Sequence, residues 1–269
     1  MKMIITVADQ DYRVLDTRAH CIAIPLQFNG AQPSCFGVEP AQATPFKAGS
    51  FIGDITQGGS CNVMEMQINP HCQGTHTESI SHIATALLPP HSFLPAFMPA
   101  TLITIDPTAA RDGDESYMPA FNANDMVISE SALRAKLQKT NGKWLQALVL
   151  RTQPNELDKK TQAWQSAPFF TREAMSYLRE RGVMHLLVDF PSIDRMDDGG
   201  HLTAHHMFWR VKEGGHEASP FSLKTASVSE LIYVANEIED GQYLLNLQVP
   251  ALEADVAPSR PVLLPLEKC

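Results

Sequence analysis

The chain has 269 residues, enough for a substantial core, and its 44% hydrophobic and 19% charged residues are ordinary for a globular protein. Its 21 basic and 30 acidic residues leave a net charge of −9. With no Lys/Arg stripe, that balance argues against nucleic acid and anionic membrane surfaces as partners. No apolar run nears the roughly 18 residues of a spanning helix, and the apolar segment before Asp9 is too short for a signal peptide. The expected compartment is the cytoplasm. Five irregularly spaced cysteines (Cys21, Cys35, Cys61, Cys72, Cys269) form no disulfide framework and fit reduced thiols.

In chain order, residues 4–7 read as a short β-branched strand. Asp16 to Ile24 leads to Pro25, and Asn29-Gly30 marks a tight turn. Residues 31–50, rich in Pro, Ala and Gly, are expected to form a long surface loop that serves as the wall or lid of a pocket. Phe51–Ile55 and Cys61–Ile68 read as strands split by Gly58-Gly59. In the second, Met64, Met66 and Ile68 alternate with Glu65 and Gln67, the pattern of a half-buried strand. A Pro-rich stretch through Pro99 precedes a strand at Ala100–Ile105.

The spacing then predicts a helix near Ser129–Thr140, with a serine cap, Leu133 and Leu137 four apart, and Asn141-Gly142 as the stop. Trp144–Leu150 reads as a buried strand and residues 152–167 as irregular. Thr171 caps a second helix, Arg172–Arg181, ended by Gly182. Met184–Asp189 is another buried strand, inside which His185 is structural. Tyr243–Val249 and Pro261–Leu264 read as two closing strands. Strands alternating with capped helices, and paired strands at both ends, imply an α/β protein with mixed β-sheets and flanking helices. No linker or repeat divides it, so one domain is expected over residues 1–269.

The chemistry concentrates in Asn69-Pro70-His71-Cys72-Gln73-Gly74-Thr75-His76-Thr77-Glu78-Ser79-Ile80-Ser81-His82. Imidazole, thiolate and carboxylate are the donors that hold a borderline-soft ion such as Zn²⁺. In extended chain, residues two apart face the same way. Cys72, His76, Glu78 and His82 share that parity, and His71 and Thr77 face away, although Gly74 permits a local break. The remaining donors must come from afar. His201-Leu202-Thr203-Ala204-His205-His206 is the other histidine cluster, in which His201 and His205, four apart, would share a helix face and form a zinc pair by themselves.

The run Gly74-Thr75-His76-x-Glu78-x-x-x-His82 resembles the signature of the cyclase-like metal-dependent hydrolases, the family that includes bacterial kynurenine formamidase. That signature reads His-x-Gly-Thr-His-x-Asp-x-Pro-x-His. Here Cys72 stands for the first histidine, with His71 one step early, Glu78 for the aspartate and Ile80 for the proline. The resemblance implies the swivelling β/β/α fold, with Cys72, His76 and Glu78 as metal ligands and His82 as general acid/base. It also matches Leu202-x-x-His205 to a ligand histidine, leaving His206 to solvent or an outer shell. Glu230, before an apolar run, matches a ligand glutamate, and Phe28 and Phe36 fall where substrate-pocket aromatics lie. Relatives are homo-oligomers, so a dimer or tetramer is expected.

These residues suggest a hydrolase of an amide or related C–N bond in a small-molecule substrate, using one or two divalent ions, Zn²⁺ or Mn²⁺. A thiolate ligand would add negative charge and make the ion a weaker Lewis acid. Three other readings stand beside this one: a non-catalytic metal- or small-molecule-binding protein, a polyketide cyclase, and a Cys72 nucleophile with His76 as its base.

Overall fold

A computed structural model describes residues 3–269. Four strands, Met98–Ile105, Ala147–Thr152, His185–Val188 and Ser227–Glu230, pair in parallel at the centre of the main sheet. The last three are buried at every position, which a parallel strand covered on both faces demands. On one side the sheet continues through antiparallel Gly241–Asn246, Val262–Lys268, Gln10–Val14 and Ile4–Val7, with His20–Cys21 also on Val262–Lys268. On the other it continues through antiparallel His76–Glu78 and Val256–Pro258.

The alternation of side chains sorts the core into two layers. Ile103, Leu148, Leu150, Leu186, Val188 and Val228 face three helices, α1 (Glu130–Leu137), α2 (Arg172–Glu180) and α3 (Thr203–Trp209). Leu102, Val149 and Leu187 pack on the other side with Met98, Ile232, Leu245 and Leu263. The two expected caps form: Ser129 Oγ accepts the Ala132 N–H at 3.2 Å and Thr171 Oγ1 that of Ala174 at 3.0 Å. Among the described residues, no helix is long and apolar enough to cross a membrane.

Three expectations change. The stretch 31–50 is not all loop, because Gln42–Pro45 and Lys47–Ala48 pair with Met64–Gln67 and Phe51–Ile52. Met64–Gln67 is exposed on both faces, with Met66 65% accessible, rather than half-buried. Alternation records the pleat of a strand, and here the two-stranded ribbon projects without a packed layer. Ile55 belongs to a short 3₁₀ turn, Ile55–Gln57, closed by Gly58 at φ 89°.

Candidate functional site

His76 and Glu78 lie on the strand His76–Glu78, which pairs with Ser227–Glu230 so that Glu230 stands opposite His76. Because His76, Glu78 and Glu230 point to the helix side, three donors meet where a parallel strand ends. The fourth, His205, comes from α3, and residues near two of the donors adopt left-handed backbone. Leu202, before the helix, has φ 46°, and Leu231, after Glu230, has φ 53°. Non-glycine residues tolerate that left-handed region only when surrounding packing holds them there.

Four donors now face one another. His76 Nε2 lies 3.4 Å from Glu78 Oε1 and 3.3 Å from Glu230 Oε2. His205 Nε2 lies 3.2 Å from Glu78 Oε2 and 3.7 Å from Glu230 Oε1. All four side chains are almost wholly buried. Among the described residues, His76 Nε2, Glu78 Oε2 and His205 Nε2 are buried without a hydrogen-bond partner. Such atoms are costly unless something unseen satisfies them. The His76–Glu78, His76–Glu230 and His205–Glu78 pairs lie at 3.2–3.4 Å, each the spacing of two donors sharing an ion at about 2.0–2.1 Å. The donor set therefore fits a divalent metal.

The opposite nitrogen of each histidine is spoken for. His76 Nδ1 contacts the Gly74 carbonyl at 3.0 Å, and His205 Nδ1 contacts Asp194 Oδ2 at 2.6 Å. Each bond fixes the ring so that Nε2 faces the cluster, as outer partners do in metal sites. Asp194 also accepts the N–H groups of Ala204 and His205 and the Tyr117 hydroxyl, so it caps α3 as well as orienting its histidine.

Cys72 departs from the parity expectation. The Cys72 N–H bonds to Asn69 O at 3.1 Å, so residues 69–72 turn rather than extend, and Gly74 takes φ 83°. The thiol is buried beside Cys35 and, like the Glu230 carboxylate, lies outside the three groups of side chains that can share an ion. His71, one position earlier, instead reaches the cluster, with Nδ1 2.6 Å from Glu78 Oε1. Those groups are His71, His76 and Glu78; Glu78, His82 and His205; and His71, His82 and Asp255. His82 is half-buried, its ring 4.6 Å from that of His71 and 5.2 Å from that of His205. Phe28 is half-buried and Phe36 half-exposed, one residue after Cys35. His201 is exposed and precedes α3, so it cannot share a helix face with His205; His206 is buried rather than solvent-facing.

Burial alone would lower the pKa of His71 and His76, but the carboxylates around them hold the two at about 10 and about 9. Burial also opposes ionisation of Glu78, yet the surrounding imidazoles hold it well below the usual range. Glu230 is raised, by burial and by the Glu78 charge. The Cys72 thiol is lowered to about 7, chiefly by its bond with Cys35. Missed in the sequence were Asp194, Tyr117 and Asp255; no local pattern marks them, since each acts through residues far along the chain.

Residues 16–195 match the Cyclase family, described as “Putative cyclase”. The kynurenine formamidase of Bacillus cytotoxicus is 31% identical over 151 residues, 56% of this chain and 64% of that protein. That of Bacillus cereus is 29% identical over the same shares. The chain thus spans less than two thirds of the length of these relatives. In fold it is similar to isatin hydrolase A from Ralstonia solanacearum, with TM-score 0.59, 15% identity, and coverage of 92% and 91% of the two chains. It is also similar to a predicted metal-dependent hydrolase from Bacillus stearothermophilus, with TM-score 0.57, 14% identity, and coverage of 92% and 98%. Since the family match runs over more than half of the sequence, this chain belongs to the cyclase family.

Proposed function

We propose that the protein is a metal-dependent hydrolase of an amide or related C–N bond. The observation that carries the reading is the set of buried donors without hydrogen-bond partners, His76 Nε2, Glu78 Oε2 and His205 Nε2, with Glu230 beside them. His76, Glu78, His205 and Glu230 hold the ion, and His71 rather than Cys72 is the further donor. Both carboxylates offer different oxygens to His76 and His205, an arrangement that suits either one ion or a bridged pair. Zinc is the metal of choice for this nitrogen and oxygen set, with manganese as the alternative. When bound, the metal polarises a carbonyl and makes water acidic enough to attack near neutral pH.

The chain's own residues do the rest. His82, at the half-open edge of the cluster, takes a proton from the attacking water and returns it to the leaving nitrogen. Phe28 and Phe36 are assigned to the substrate wall, on the segment whose Cys35 packs beside Cys72. Relatives named kynurenine formamidase and isatin hydrolase support an arylformamide or a cyclic amide as substrate. The five free thiols support a reducing, cytoplasmic setting. The exposed apolar side chains Val63, Met64 and Met66 on the projecting ribbon support a homo-oligomer of single-domain chains.

Elemental analysis should find a divalent metal, and exhaustive chelation should abolish hydrolysis of aryl formamides and cyclic amides. His82→Ala should lower turnover about 10²–10⁴-fold with metal content unchanged. Full activity in metal-free protein would falsify the reading.

A further inference from the structure

We infer that Asp255 is a positioning residue of this site: its carboxylate holds the outer nitrogen of His71, so that His71 presents Nδ1 to the metal cluster where Cys72 does not. The inference rests on the metal reading above and adds a residue outside the matched stretch 16–195. Asp255 Oδ2 lies 2.9 Å from His71 Nε2 and 3.7 Å from His82 Nδ1, while His71 Nδ1 is 2.6 Å from Glu78 Oε1. One carboxylate oxygen therefore stands behind two neighbouring rings whose centroids are 4.6 Å apart.

The placement of Asp255 is rigid. Its backbone carbonyl accepts the Ser79 N–H at 2.9 Å and the Ser79 hydroxyl at 3.2 Å, and the next residue, Val256, pairs with Glu78 in the sheet. The carboxylate that turns His71 is thus locked to the strand that carries Glu78. His205 and Asp194 repeat the arrangement on the other side of the cluster, one ring nitrogen inward and the other on a carboxylate. The difference is exposure: Asp194 is buried, whereas the Asp255 side chain is 35% accessible. Replacing Asp255 thus probes the histidine without opening the core.

The test is Zn²⁺ affinity of the full chain by chelator competition, with kcat and KM measured alongside. Asp255→Asn, nearly isosteric, should weaken Zn²⁺ binding about 10–100-fold, the usual range for loss of an outer partner. Asp255→Glu should recover part of that loss. His71→Ala combined with Asp255→Asn should bind no more weakly than His71→Ala alone, because the aspartate acts through the ring. Cys72→Ser should bind as wild type does.

Wild-type affinity in Asp255→Asn, or losses that multiply in the double variant, would overturn the inference while leaving the hydrolase reading intact. So would loss of one of two bound ions with the other unchanged, which would make Asp255 a ligand itself. Wild-type protein that takes up no Zn²⁺ would overturn the metal reading instead.

Discussion

The Asp194→Asn variant tests how the fold builds its site, and its cost follows from four donors. Tyr117 Oη at 2.7 Å and Ala204 N at 2.5 Å bond to Oδ1, and His205 N at 3.1 Å and His205 Nδ1 at 2.6 Å bond to Oδ2. An asparagine has one oxygen for these four. If it faces His205, its amide group is set against the Ala204 N–H, and a buried donor is left unmade at about 1–3 kcal/mol. Tyr117 escapes much of the loss because its hydroxyl also lies 3.2 Å from Asp198 Oδ2. The His205 contact drops from a charge-assisted bond to a neutral one, about 1 kcal/mol more. The total is about 2–4 kcal/mol, read as a lower urea midpoint with an unchanged slope. Because the same carboxylate aims His205, Zn²⁺ affinity by chelator competition should fall about 10–100-fold. An Asp194→Asn protein with wild-type midpoint and wild-type affinity would refute the argument.

Three further outcomes follow from buried groups elsewhere. His185 is buried against Ser227, and burial lowers its pKa to about 4 from an ordinary 6.5. The unfolded chain therefore binds that proton first, so its contribution is intact above pH 6.5 and declines as pH falls toward 4, on the order of 3 kcal/mol in all. Denaturation midpoints across that window should show the decline, and a His185→Gln protein should lose much of it. Lys159 Nζ is buried with bonds of 2.9 Å to Thr152 O, Thr152 Oγ1 and Asp189 Oδ2. Lys159→Met should cost about 3–5 kcal/mol by stranding Asp189, and adding Asp189→Asn should restore part of it; a thermal-melt series with no such recovery would count against the pairing. Gly74→Ala has space, the nearest atom being Leu26 Cβ at 3.7 Å, so its cost is conformational. At φ 83° that is about 1–2 kcal/mol, and unchanged stability would show the turn to be adaptable.

How far the molecule was legible differs from residue to residue. Ser129 and Thr171 announced their helices because a cap is a local bond, made within three residues. The buried strands at Ala147–Thr152 and His185–Val188 announced themselves as unbroken apolar runs. Met64–Gln67 misled, since a pleat repeats every two residues whether or not a layer covers it. Cys72 misled for the opposite reason. Parity counts faces only in extended chain, and a turn at 69–72 followed by Gly74 brings His71 to Glu78 and the Cys72 thiol to Cys35.

By itself, then, the order of residues determined the α/β class, the helix starts, and the position of the donor-rich segment, whereas His205 and Glu230 were named as its partners only through the family resemblance. The first three depend on bonds and periodicities that close within one turn or one strand. Only the tertiary structure decided which neighbour faces inward and which acids stand behind the histidines. Asp194 and Asp255 reach His205 and His71 across 11 and 184 positions. Contacts of that kind are set by strand register and helix packing, which no local pattern encodes.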